Sequence, residues 1–330
     1  MNTFGRFFRI SIFGESHGEC VGILIDGCPA GIHLADDEFS RDLGRRRGGG
    51  EGATTRKEPD IPFIKSGVFN GRTTGAPILI LFENRDIYSS DYENIRYKPR
   101  PGHADFTAYR KYGGFNDYRG GGHFSGRLTA GLVAAGVIAK KILHPVKIEA
   151  LLSEAGGSKE IEGATASAMR ENDSIGGIVE CRASGLPIGL GEPFFDSVES
   201  LISHIVFSVP AVKGVEFGAG FLCARMRGSE CNDEIMNMEG KTKTNNAGGI
   251  NGGITNINEL LFRVAVKPTS SIPAKQHTID LRSGETVELS VGGRHDACIA
   301  LRMPVIIEAV TAVVFADLML IEHKLKRIIT

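Results

Sequence analysis

Apolar residues fall along this chain in short runs closed by glycine or proline, the pattern of strands bounded by turns. Such runs predict strands over Phe7 to Phe13, within Val21 to Pro29 and within Thr73 to Leu81. Others follow over Val146 to Leu152, Ile175 to Val179, Val215 to Phe217 and Leu260 to Val266. Helical spacing replaces this pattern in four places. Leu34 to Glu38 opens a helix with acids in its first turn and arginines at its end, as the helix dipole favours. After Gly122, the residues Leu128, Leu132, Val133, Gly136, Val137 and Leu143 recur at helical intervals, and Ser125 can cap the start. Asp196 to Ile205 is helical, and Val305 to Arg327 reads as a closing amphipathic helix. Asp86 to Tyr97 is an irregular polar connection, Ser153 to Thr165 a loop and Pro210 to Gly214 a tight turn. The strand, glycine and proline order of Val21 to Pro29 returns over Ile175 to Pro187, hinting at halves built from duplicated βα units.

At 330 residues the chain suffices for one large domain or two ordinary ones. A net charge of −1 argues against a protein that coats nucleic acid or a membrane surface. Yet basic residues bunch at Arg45-Arg46-Arg47, Arg56-Lys57, Lys98 and Arg100, Arg110-Lys111, Arg119 and Arg127. Local cation clusters on a neutral chain suit a small anionic ligand better than a polymer. A single Arg119-Gly120-Gly121 triplet is no RNA-binding array. Cys20, Cys28, Cys181, Cys223, Cys231 and Cys298 show no C-x-x-C spacing, so neither a zinc site nor a disulfide framework is expected. They read as reduced thiols of a cytosolic protein. The first residues lack the apolar run of a signal peptide. Ala309 to Ile321, holding Thr311 and Asp317, reads as too short and too polar to span a bilayer.

The densest chemistry lies between Arg100 and Ala130. Gly120-Gly121-Gly122 precede a helix and are bracketed by Arg119 and Arg127, with His103 upstream. Glycines there let backbone N–H groups approach an anion, so the stretch reads as a phosphate cradle, or equally as a glycine-rich surface loop. Gly14-Glu15-Ser16-His17-Gly18 has the letters of a nucleophile elbow, but the next residues predict a second strand, where an elbow needs a helix. His17 in such a loop is placed to act as an acid. Arg45 to Arg47 run into Gly48 to Gly50 and could close over a phosphate or simply be solvated. Thr244 to Asn256 suggests backbone close to a planar or phosphorylated ligand. Lys267 and the hydroxyls of Thr269, Ser270 and Ser271 end a strand as an anion site or an ordinary turn. Gly292 to Asp296 sets a cation, an imidazole and a carboxylate side by side. No G-x-x-x-x-G-K-[ST] phosphate loop occurs.

Taken in series, GESHG at 14–18, RPGHAD at 100–105, YRGGGHFSGRLTA at 118–130, NNAGGINGGITN at 245–256, KPTSSI at 267–272 and GRHD at 293–296 resemble the chorismate synthase family. The resemblance implies 1,4-anti elimination of phosphate from 5-enolpyruvylshikimate 3-phosphate to give chorismate, the last shikimate-pathway step. It also implies reduced FMN as a cofactor without net redox change. By the same resemblance, His17 protonates the departing phosphate, His103 manages the charge of the reduced flavin, and Asp296 is linked to taking up the substrate proton. Both histidine roles ask for a pKa near neutral. Arg45, Arg127 and Arg302 become substrate clamps. FMN contacts fall on His123, Phe124, Ser125, Pro210, Ala211, Gly252, Lys267, Pro268, Thr269, Ser270, Ser271 and Arg294. Many relatives have Arg-Ser-Ser where this chain has His123-Phe124-Ser125, so contacts there are partly backbone or stacking. Arg46 matches one of two family arginines assigned to NADP; the other, near Gly52 or Ala53, is absent, so NADPH acts only through flavin reduction. No reductase domain is added, which implies a separate reductase. The implied fold is α+β, a layered β-α-β sandwich of two pseudo-two-fold related halves, one domain over residues 1–330, assembled as a cytoplasmic homotetramer.

Overall fold

Two antiparallel sheets collect the predicted strands in the computed structural model, which describes residues 2–47, 52, 58–88, 92–93, 95–292 and 295–324. Along the chain run β1 (Thr3–Phe4), β2 (Arg9–Gly14), β3 (Cys20–Asp26), α1 (Ser40–Arg47), β4 (Phe63–Ile64), β5 (Val68–Phe69), β6 (Arg72–Thr73) and β7 (Ile78–Glu83). Then come α2 (Asp105–Lys111), α3 (Thr129–Leu143), β8 (Lys147–Ala155), α4 (Ile161–Arg170), β9 (Gly177–Ser184), α5 (Val198–Ser208) and β10 (Val212–Phe217). The last elements are α6 (Gly228–Cys231), β11 (Ile250–Asn251), β12 (Ile254–Thr255), β13 (Leu260–Val266), β14 (Gln276–Ile279), β15 (Thr286–Leu289) and α7 (Met303–Lys324). The first sheet has the order β1-β2-β3-β7-β4 and the second β10-β13-β9-β8.

Alternation along each strand decides which face is buried. In β13, Leu260, Phe262, Val264 and Val266 are buried while the residues between them are half-covered. In the first sheet Ile23 pairs with Ile80 and Ile25 with Ile78, all four buried. Helix α3 packs on β3 and β7, α7 packs on β8 and β9, and the two helices pack on each other. Small residues set these approaches. A Cβ on Gly136 would lie 2.3 Å from Ala309 Cβ and 2.5 Å from Ala309 Cα, so the helix backbones nearly touch there. On the sheet side, a Cβ on Gly131 would stand 3.1 Å from Ile23 Cβ.

Several expectations change. Helix α7 is not amphipathic over most of its length, because α3 covers one side and the second sheet the other; Val305 to Leu318 is buried throughout. By length and composition Ile299–His323 is sufficient to cross a membrane, with mean hydropathy 2.2, contrary to the reading of a segment too short; most of it is buried inside the fold. Its polar residues are partnered within the core. Glu308 accepts two bonds from Arg45 at 2.7 Å, one from Lys140 at 3.0 Å and one from the Ala150 amide at 3.0 Å. Asp317 accepts the amides of Arg6, Phe7 and Phe8 at 2.9, 2.7 and 2.9 Å. The stretch read as a loop from Ser153 holds the end of β8 and the start of α4, whose cap is Glu160 receiving the Gly163 amide at 2.8 Å. Val212 already belongs to β10, so the turn at Pro210 to Gly214 is shorter than expected. Neighbouring strands in both main sheets are antiparallel, unlike those of parallel βα units.

Gly136→Ala is expected to lower the unfolding free energy by about 1–3 kcal/mol through overpacking. Ala309→Gly in the same chain should recover only part of this, since Ala309 Cα itself lies 2.5 Å from the added methyl. Urea unfolding of the three variants measures both quantities.

Candidate active site

Loops from both sheets meet at one cleft of about 710 Å³. The chain entering β10 (Val209 to Lys213) and leaving β13 (Lys267 to Ser271) lines one side. Residues between Arg100 and Arg127 line the other, and Asp296 and Arg302, just before α7, contribute as well. Phe124 and Phe207 add exposed apolar surface to a wall otherwise rich in cations.

The three glycines are the partition of this site. Gly120, Gly121 and Gly122 have φ of 57°, 81° and 53°, in the left-handed region that side chains avoid. Space forbids side chains too. A Cβ on Gly120 would lie 2.8 Å from Ser16 Oγ and 3.0 Å from His17 Nε2; one on Gly121 would lie 3.3 Å from His103 Cε1. The turn thus separates His17 from His103 by backbone alone. It is fixed by the Ser16 amide donating to Gly122 O at 3.1 Å and by His123 Nδ1 donating to Gly14 O at 2.8 Å. Ser125 caps the turn into α3 by accepting the Arg127 amide at 3.3 Å. Arg119 turns aside to pair with Asp117 at 2.9 Å, so only Arg127 of the two bracketing arginines faces the cleft. His17 is 6% exposed and lies edge-on to Tyr92, with ring centroids 5.0 Å apart. Gly120 and Tyr92 line the cleft, which places His17 directly behind its surface. Ser16 is fully buried between two strands, a setting in which no exposed elbow nucleophile forms.

Buried carboxylates hold the cations. Asp60, whose side chain is fully buried, pairs with Arg46 at 2.7 Å and with Arg127. Burial alone would raise its pKa, but the two guanidiniums outweigh that and hold it below the ordinary carboxylate value. Arg127 is further fixed by Asn84 Oδ1 at 2.9 Å and Glu83 O at 3.1 Å. His103 Nδ1 donates to Asp105 Oδ1 at 2.5 Å, and Arg100 grips the same carboxylate through Nε at 2.7 Å and Nη2 at 2.8 Å. Burial lowers the pKa of His103; Arg100 and Lys267 add to the shift, and Asp105 opposes it. The imidazole is therefore neutral at neutral pH, below the poised value expected from sequence. Lys267 Nζ reaches Gly102 O at 2.9 Å and Ser270 Oγ at 2.6 Å, tying the two sides of the cleft together. Asp296 accepts a bond from Arg302 Nη2.

Arg46 Nε, Arg302 Nε and Thr269 Oγ1 are buried without a hydrogen-bond partner among the described residues, and all three residues line the cleft. Buried donors without acceptors are costly, and oxygens of a bound anion would satisfy them. The donor set therefore fits a phosphorylated ligand and cofactor. The cleft gathers Arg46, His103, His123, Phe124, Ser125, Arg127 and Asp296. Pro210, Ala211, Arg302 and the run Lys267, Pro268, Thr269, Ser270 and Ser271 join them. Arg45 does not join the set: its guanidinium is committed to Glu308 and lines a separate cavity, while its neighbour Arg46 faces the cleft. Gly252 sits in the β11–β12 hairpin and is not among the lining residues. Arg294 lies outside the described residues. Sequence reasoning missed Asp60, Asp105 and Arg100 as supports; Asp105 and Arg100, both in the motif around His103, carried a local signal, and Asp60 did not.

Asp60→Asn is expected to cost about 3–5 kcal/mol of stability, since it leaves two buried guanidiniums without a counter-charge; calorimetric unfolding checks this. An NMR titration should place the His103 pKa below its ordinary value of about 6.5. Asp105→Asn should lower it further. Because the folded value lies below the unfolded one, this group costs stability as pH falls through about 6.5.

A family model described as chorismate synthase matches residues 8–320. A chorismate synthase from Chitinophaga pinensis is 63% identical over 329 residues, covering 99% of this chain and 99% of the relative. One from Pyrococcus abyssi is 47% identical over 341 residues, covering 95% of this chain and 96% of the relative. A solved crystal structure of a chorismate synthase aligns with a TM-score of 0.75 at 27% identity, over 97% of this chain and 93% of that one. Agreement of this extent, running through both sheets and every loop of the cleft, means that the chain belongs to the chorismate synthase family.

Proposed function

We propose that the cleft binds 5-enolpyruvylshikimate 3-phosphate beside reduced FMN and eliminates phosphate to give chorismate. Membership of the family makes the protein a lyase of aromatic biosynthesis. The observation that carries the residue-level reading is the set of buried donors on Arg46, Arg302 and Thr269, without partners among the described residues, in a cleft flanked by two histidines. Arg46, Arg127 and Arg302 bind the substrate's phosphate and carboxylates, and Asp60 keeps two of these guanidiniums aimed. Lys267, Thr269, Ser270 and Ser271, with His123, Phe124, Ser125, Pro210 and Ala211, hold the cofactor. When bound there, reduced flavin would supply the reversible electron donation that eases departure of phosphate.

The chain's own part is proton handling and exclusion of water. His17, directly behind the cleft surface at Gly120, is the acid that protonates the departing phosphate. His103, held neutral by burial, keeps a hydrogen-bonding edge toward the cofactor without adding a charge. Asp296, fixed by Arg302, receives the proton from the substrate ring. The lack of a second arginine near Gly52 or Ala53 supports NADPH acting only through flavin reduction elsewhere, by a separate reductase.

The same reading takes the chain as one unit over residues 1–330, a sandwich of two pseudo-two-fold related halves. One continuous hydrophobic cluster from Phe8 to Leu318 supports this, as does the interior place of β3 and β9 in their sheets. A cytoplasmic homotetramer follows from the family likeness, and exposed Phe194, Phe195 and Phe221 provide apolar surface for assembly.

Anaerobic mixing of the protein with reduced FMN and 5-enolpyruvylshikimate 3-phosphate should give a transient flavin absorbance change and chorismate stoichiometric with phosphate. Phosphate release indifferent to flavin would mean a plain phosphatase. His17→Ala should slow turnover about 10²–10⁴-fold while FMN affinity stays nearly unchanged. Parallel loss of both would remove His17 from the proton path.

A further inference from the structure

Away from the cleft, two thiols face each other. Cys223 and Cys231 bring their sulfurs to 3.6 Å, the Cys231 thiol donating to Cys223. Cys223 lies in the 3-10 turn Gly220–Arg225 and Cys231 ends α6. Both are half-buried, whereas the chain between them, apart from Met226, is exposed. The remaining cysteines are differently placed. Cys28, Cys181 and Cys298 are buried, with burial pushing the Cys28 thiol up to about 11, and Cys20 lies in β3 of the other sheet. The facing pair takes no part in the cleft. Strand β10 leaves the cleft wall at Val212, and the pair follows its far end, about 20 Å of strand away.

We propose that Cys223 and Cys231 form a reversible intramolecular disulfide by exchange with a low-molecular-weight disulfide such as oxidised glutathione. Cys223, the sulfur that accepts the hydrogen bond, loses its proton to solvent and attacks one sulfur of the reagent. One reagent thiolate leaves, and a mixed disulfide remains on Cys223. Cys231 then gives up its proton and attacks the Cys223 sulfur, expelling the second reagent thiolate. Two protein thiols are oxidised and one reagent disulfide is reduced to two thiols. Closing the gap to a bond of ~2.05 Å needs a shift of roughly 1.5 Å, which two exposed turns can supply. Just beyond Cys231, Asp233 accepts Thr244 Oγ1 at 2.6 Å and the amides of Asn246 and Ala247 at 2.8 and 2.9 Å. The bond would therefore tie Cys223 to the end of the excursion that Asp233 already anchors on the segment preceding β11.

The test incubates the full chain with oxidised glutathione, alkylates remaining thiols with N-ethylmaleimide, and maps tryptic peptides without reduction. The expected result is loss of two hydrogens across the pair and loss of alkylation at both residues. Fragments cut after Arg225 and Arg227 should stay joined until a reductant is added. Cys223→Ser and Cys231→Ser should each stop with one glutathione on the surviving cysteine. Glutathione on both residues of the unaltered chain, alkylation of both, or a dimer cross-linked through either would overturn the proposal.

Discussion

Everything in this fold hangs on how closely two helices can approach. At Gly136 the α3 backbone lies against Ala309 of α7, with no room for even a methyl group. Each helix also carries a sheet on its other side, so this contact sets the distance between the sheets. The loops that line the cleft are attached to those sheets. Its width is thus fixed far from the residues that line it, by a contact deep in the core.

A second constraint is electrostatic. The cleft gathers Arg46, Arg100, Arg127, Lys267 and Arg302, which in water would repel one another and in a core would be costly. The fold compensates for some of this charge and leaves the rest for a ligand. Asp60 and Asp105 neutralise the inner cations and fix their orientation, while Nε of Arg46 and of Arg302, both cleft residues, has no partner among the described residues. A binding site for anions is in this sense a deliberately incomplete ion-pair network. Its own carboxylates supply geometry, and the ligand supplies the missing charge.

The sequence was most informative where a local rule applied. The apolar run Leu260 to Val266 and helical spacing after Gly122 led directly to β13 and α3. Glycine, histidine and hydroxyl clusters pointed to the loops that meet in the cleft, because those residue types are needed wherever backbone approaches a ligand. Harder positions depend on partners distant in the chain. Arg45 and Arg46 are adjacent on one helix and point about 100° apart. Only Glu308 on one side and Asp60 on the other decide which of them enters the cleft. Asp60 itself has no local signature. Helix α4 was hidden by its glycine- and serine-rich start, and the covering of α7 on two sides appears only once both sheets are in place.

The place of α7 has a consequence for biosynthesis. The helix at the centre of the fold is the last of these elements to leave the ribosome. Asp317 closes on Arg6 to Phe8 across 309 to 311 positions, and Glu308 reaches back to α1, α3 and β8. Until α7 emerges, the second sheet and the far side of α3 present uncovered apolar faces, and the first strands lack the carboxylate that gathers their amides. The nascent chain therefore cannot complete its core segment by segment. It matures in one late step, and during synthesis its exposed surface is a substrate for chaperones.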